Sequence, residues 1–91
     1  YESMKVPKSE DGEVLSLEKA FGCVLHCLRQ DRGLSQEALG FKSGYHRTYI
    51  SLLERGQKSP SLQTIFNLLK ALKIAPADLI KQVAFRTHSL L

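Results

Sequence analysis

Arg47, Thr48, Ser51 and Leu52 fall within six consecutive positions. At helical spacing they share the early turns of one exposed face, and none of them is needed for a core. A guanidinium is a planar fork that matches the O6 and N7 acceptors of guanine. A threonine hydroxyl can bond a base edge, and its methyl can touch that of thymine. Lys42, Arg55 and Lys58 flank the group and suit phosphate oxygens. A solvated helix on a protein-interaction domain would display similar residues, and the basic flank shifts the balance towards a nucleic-acid surface.

Residues 35–56 must position that face, and they read as two short helices joined by a tight turn. Ser35 suits an N-cap, since its hydroxyl can accept from an orphan amide of the first turn. A helix then covers residues 36–43, with Ala38, Leu39 and either Phe41 or the stem of Lys42 expected inside. Gly44 supplies the positive φ that ends it. From Arg47 the pattern restarts, with Tyr49, Ile50 and Leu53 at helical spacing, and Gly56 closes it. Such a helix, turn and helix is the unit that lays its second helix in a DNA major groove.

The run LSQEALGFKSGYHRTYISLLERGQKSPSLQTIFNLLKALKI resembles the lambda-repressor and Cro type of helix-turn-helix domain, the XRE-like family. Within it, HRTYISLLERG is similar to the controller proteins of restriction–modification systems. The resemblance covers residues 17–80. It implies an all-α, five-helix domain with the helix-turn-helix as its second and third helices. It also implies a sequence-specific transcriptional regulator, a repressor or controller, that binds a palindromic operator as a homodimer. Arg47, Thr48, Ser51 and Leu52 would read bases in the major groove. Gln36, at the start of the second helix, would bond a phosphate with the help of the helix dipole. Lys58 and Ser59 occupy the connection where family members touch the backbone, and Lys42, His46, Tyr49 and Arg55 complete the expected phosphate set. Tyr49 could equally pack inside. His46 replaces the family's usual small polar cap; it either adds a phosphate contact or is tolerated, and its charge state would make binding pH-sensitive. The resemblance further pairs Arg29 with Glu54. Two-fold dimers suit palindromic operators, and the dimer interface is expected around Ile74, Leu79, Ile80 and Val83. The alternative is an antitoxin or co-activator that keeps the fold as a protein–protein module.

The chain of 91 residues suits one small domain. Its net charge of +4 is uneven. Residues 1–18 carry two lysines against five acidic side chains, and the rest carries eleven basic against four acidic. A domain that basic favours a polyanionic partner, here double-stranded DNA, because counterions released from phosphates drive association. No apolar run suggests a membrane span or a signal peptide, so a cytoplasmic, nucleoid-associated protein is expected. Residues 1–14 read as a flexible arm, with 1–3 a remnant ahead of Met4, residues 15–84 as the domain and 85–91 as a tail. Leu17, Ala20, Phe21, Val24, Leu25 and Leu28 form the apolar stripe of a first helix capped by Ser16 and ended by Gly33. Leu62, Ile65, Phe66, Leu69 and Leu72 suggest the stripe of a fourth, begun by Ser59 or Ser61. Pro76 opens a fifth, although Ala75 stands where a polar cap is usual. Phe85, Leu90 and Leu91 could be plain tail, or could cover the domain or a partner. Cys23 and Cys27, four apart on one helix, suit neither a relaxed disulfide nor a closed metal site and are expected as buried or half-buried thiols. No nucleophile–base pair, phosphate loop, cofactor motif or small-molecule site stands out, which argues against an enzyme.

Overall fold

The structure of the chain, a computed structural model, describes residues 15–87. Five helices follow in order: α1 (Leu17–Asp31), α2 (Gln36–Ser43), α3 (Arg47–Glu54), α4 (Leu62–Leu72) and α5 (Pro76–Phe85). No strand occurs among the described residues, so the fold is all-α as expected. The expected arm at 1–14 and Leu90 and Leu91 of the tail lie outside them.

Local chemistry sets each boundary. Serine hydroxyls accept from first-turn amides at three starts: Ser16 from Lys19 at 3.2 Å, Ser35 from Ala38 at 3.0 Å and Ser61 from Thr64 at 3.1 Å. Gly44 ends α2 with φ 86°, a conformation that costs glycine little. Lys73 ends α4 at φ 57° without that freedom. Pro76 starts α5 with its fixed φ, and Ala75 provides no side-chain cap. Helix α5 runs through Phe85 and Thr87 is buried, so the packed unit continues past residue 84.

The core is one cluster drawn from α1 (Ala20, Phe21, Val24, Leu25, Leu28), α2 (Leu39), α3 (Ile50, Leu53), α4 (Leu68, Leu69, Leu72) and α5 (Leu79, Val83). The α1 stripe is as read, except that Leu17 at its end is exposed. Three expectations are corrected. In α4 the buried face runs through Thr64, Leu68, Leu69 and Leu72, while Leu62 is 72% exposed and Phe66 41%. Apolar residues occupy both sides of this helix, so periodicity alone could not choose between them. In α2 neither Phe41, which is 89% exposed, nor Lys42 turns inward; Leu39 alone among its larger side chains is buried. Cys27 is exposed rather than covered, and Cys23 is half-buried; both are free thiols.

Two close approaches hold the helix-turn-helix on this frame. Gly22 of α1 lies against the last turn of α3, where a Cβ would come within 2.5 Å of the carbonyl oxygens of Leu53 and Glu54. Tyr45, in the turn between α2 and α3, reaches α4. Its hydroxyl donates to Thr64 Oγ1 at 3.1 Å and accepts from Asn67 Nδ2 at 2.9 Å. Arg32, just past α1, donates from Nε to the Leu72 carbonyl at 2.8 Å, satisfying an orphan acceptor at the end of α4.

Candidate nucleic-acid interface

Helix α3 divides its residues cleanly. Ile50 and Leu53 are fully buried, which turns Arg47 and Thr48 outward as exposed side chains and leaves Ser51 and Leu52 half-buried. Tyr49 is also half-buried, its ring tilted against that of Tyr45 with centroids 5.2 Å apart. The outer face of α3 meets the start of α2 in a shallow polar groove lined by Gln36, Arg47, Thr48, Ser51 and Arg55. Leu52 is not part of that lining. Lys42 and His46 are exposed at one end of the helix pair, and Lys58 and Ser59 are exposed in the loop beyond α3. Arg55 caps α3, and its Nε lies 3.4 Å from the Ser51 carbonyl.

The far end of α3 is locked by charge. Glu54 accepts from Arg29 Nε at 2.6 Å through Oε2 and from Arg29 Nη2 at 3.0 Å through Oε1, a two-point geometry with both side chains under 10% exposed. Arg29 Nη1 also donates to the Leu34 carbonyl at 2.7 Å, so the guanidinium ties α1, the α1–α2 connection and α3 together. Gln36 Nε2 donates to Glu54 Oε1 at 3.1 Å, and His26 Nδ1 stands 3.0 Å from the same oxygen. Burial pushes the Glu54 carboxyl up. The hydrogen bonds from Arg29, His26 and Gln36, with the charge of Arg29, outweigh it and hold the carboxyl below its ordinary value. The bond to Glu54 likewise raises Arg29 above the ordinary guanidinium value, against the opposing effect of burial. No buried side-chain polar atom among the described residues lacks a partner, so the network is fully satisfied.

At the near end, His46 is the N-cap of α3. Its Nδ1 accepts from the Thr48 amide at 3.0 Å, so the imidazole takes the place of the small polar cap usual there.

Two expected roles meet a different geometry. Gln36 borders the groove, but its carboxamide nitrogen is turned to Glu54 rather than left free. Of the four residues expected at a dimer interface, Leu79 and Val83 are spent in the core of the single chain, 2% and 5% exposed. Ile80 is 53% exposed and Ile74 half-buried, and these two offer surface. Gly22, Tyr45 and Asn67 escaped the reading from sequence. A glycine inside an apolar helical stripe was the available sign for Gly22; nothing in the spacing of Tyr45 and Asn67 links them.

No described helix is long and apolar enough to cross a membrane, and no group of three metal-ligating side chains occurs among the described residues.

Comparison with known proteins agrees with this architecture. The helix-turn-helix family profile matches residues 28–79. An uncharacterized HTH-type transcriptional regulator, y4dJ of Sinorhizobium fredii, is 33% identical over 66 residues, which is 72% of this chain and 86% of that protein. The crystal structure of the restriction–modification controller protein C.AhdI from Aeromonas hydrophila is similar at a TM-score of 0.65. It is 48% identical, over 67% of this chain and 92% of that one. The controller protein C.Esp1396I, solved as a tetramer in complex with its natural 35 base-pair operator, is similar at a TM-score of 0.68. It is 29% identical, over 76% of this chain and 96% of that one. The chain therefore belongs to the helix-turn-helix family, with restriction–modification controller proteins among its relatives.

Proposed function

We propose that the protein is a sequence-specific transcriptional regulator that lays α3 in the major groove of double-stranded DNA and binds a palindromic operator as a homodimer. The observation that carries this reading is the outer face of α3. It presents Arg47, Thr48 and Ser51 in a polar groove, while Ile50, Leu53 and the Arg29–Glu54 lock hold the helix behind them. Such a face is rigid where it must be, since base readout needs side chains held in register with groove edges. Arg47 reads guanine, Thr48 and Ser51 read neighbouring bases, and Leu52 contributes apolar contact at the rim. Lys42, His46, Tyr49, Arg55, Lys58 and Ser59 bind phosphates on either side, and Gln36 does so through its backbone amide at the start of α2. The operator-bound state of C.Esp1396I supports the DNA assignment by kinship. Ile80 and Ile74 supply the apolar surface through which two copies associate, and two-fold symmetry then matches a palindrome. The protein acts by binding alone, without catalysis, cofactor or small-molecule ligand, in the cytoplasm on the nucleoid.

Selection of bound duplexes from a random pool, followed by affinity measurement over a salt series, tests this. Two inverted half-sites about one helical turn apart (about 10 base pairs) are expected, with affinity falling steeply as salt rises. A pool without enrichment, together with salt-insensitive binding, would contradict it and favour a protein–protein module.

A further inference from the structure

Four of the five helices have a side-chain cap, and three of those caps are serine hydroxyls. The fourth belongs to α3, and it is an imidazole. A backbone amide can only donate, so the 3.0 Å contact from the Thr48 amide requires an unprotonated Nδ1 on His46. The cap therefore exists in one form of the ring, the neutral tautomer with its proton on Nε2. Arg47 and Thr48 are the first two helical residues behind it, and both line the groove of the interface.

We propose that His46 is a positioning residue that links base discrimination to proton concentration. Protonation of Nδ1 sets an N–H against the Thr48 N–H and abolishes the cap. It also puts a positive charge at the positive end of the helix dipole. The first turn of α3 then loosens, and Arg47 and Thr48 lose their register. The new imidazolium meanwhile attracts phosphate on any sequence. Acid therefore lowers the preference for the operator over random DNA rather than binding as a whole. Of the charged residues in the two helices that meet at His46, Lys42 stands in the last turn of α2 and Arg47 is the first residue of α3. The acidic residues of those helices, Glu37 and Glu54, lie at the opposite ends. On α4, across from the turn, Lys70 is the one ionisable side chain. Tyr45 and Tyr49 are the titratable neighbours along the chain. His26 is placed differently: its Nδ1 stands between an acceptor, Glu54 Oε1 at 3.0 Å, and a donor, Arg29 Nη2 at 3.1 Å, so either ring tautomer keeps a contact at the far end of α3.

This inference rests on the DNA-binding reading, and its test separates the two. Nuclear magnetic resonance of the free protein would record the His46 ring tautomer and the Thr48 amide from about pH 8 to pH 5, the range in which imidazoles change charge. In parallel, affinities for a selected duplex and for a random duplex of equal length give the discrimination ratio across the same range. The wild-type ratio should fall about fivefold per subunit towards acid, the loss of one N-cap. His46→Ser keeps a cap that does not titrate, so its ratio should stay flat. His46→Ala should be flat and low throughout. A proton on Nδ1 at alkaline pH, or the same fall of the ratio in His46→Ser, would overturn the proposal. If no duplex is bound at any pH, the DNA reading fails, and the ring tautomer and the Thr48 amide still decide the cap.

Discussion

Replacing Glu54 with alanine removes the acceptor on which α1, α2 and α3 converge. Glu54 takes two hydrogen bonds from Arg29, one from Gln36 and a contact from His26, all between 2.6 and 3.1 Å. With it gone, the Arg29 guanidinium, 9% exposed, keeps the Leu34 carbonyl and the His26 ring nitrogen but has no countercharge. Stranding a buried charge in this way costs about 3–5 kcal/mol. That is a large share of the roughly 5–15 kcal/mol available to a small domain. At about 4–8 °C per kcal/mol for a domain of this size, the midpoint should drop by at least about 12 °C. Thermal and urea unfolding followed by circular dichroism would measure it. The double substitution Arg29→Met with Glu54→Leu should recover most of the loss, because the site then holds no unpaired charge. Acid gives a second handle. The folded Glu54 carboxyl lies below its ordinary value, so its contribution is fully present above about pH 4.3 and is lost as pH falls through the folded value. Glu54→Gln should therefore lower stability at neutral pH and remove that part of the acid dependence. A loss below about 1 kcal/mol for Glu54→Ala, the worth of an exposed pair, would refute the reasoning.

Gly22→Ala should destabilise by about 1–3 kcal/mol, since its Cβ would stand 2.5 Å from two carbonyl oxygens of α3 and force the helices apart; an unchanged urea midpoint would contradict the close approach. Lys73→Gly should gain about 0.5–1 kcal/mol by relieving a left-handed backbone at φ 57°, read as a higher melting temperature. Ala75→Ser should add the cap that α5 lacks, worth about 1 kcal/mol and seen as a shift of the urea midpoint.

Much of this frame is legible in the residues. The serines at 16, 35 and 61 mark helix starts because a short hydroxyl satisfies amides that the helix itself cannot. Gly44 marks the turn because few other residues tolerate its φ, and the α1 stripe shows the core side because its other side carries no large apolar residue. Where apolar residues ring a helix, that logic fails. Leu62 and Phe66 look as inward as Leu68 does, and only the position of α2 beside α4 decides that Thr64 and Leu68 go in. Phe41 fails for the same reason, on a helix too short to show a period. On the interface side, types and spacing single out the exposed residues of α3 but say nothing about commitments across the fold. The bond from Gln36 to Glu54 and the reach of Tyr45 to Asn67 join residues 18 and 22 positions apart through three-dimensional packing.

The proposal that α3 reads bases while its flanks hold phosphates is tested most directly by comparing two substitutions on selected and random DNA. Arg47 is exposed on the first turn of α3 and lines the groove, whereas Lys58 stands in the loop beyond the helix. Arg47→Ala should cost about 1–3 kcal/mol on the selected duplex and relax preference at one position per half-site, with little change on random DNA. Lys58→Ala should weaken both duplexes alike and lower the salt slope by about one per subunit. Equal loss on the two duplexes for Arg47→Ala would contradict the assignment of α3 as the reading helix.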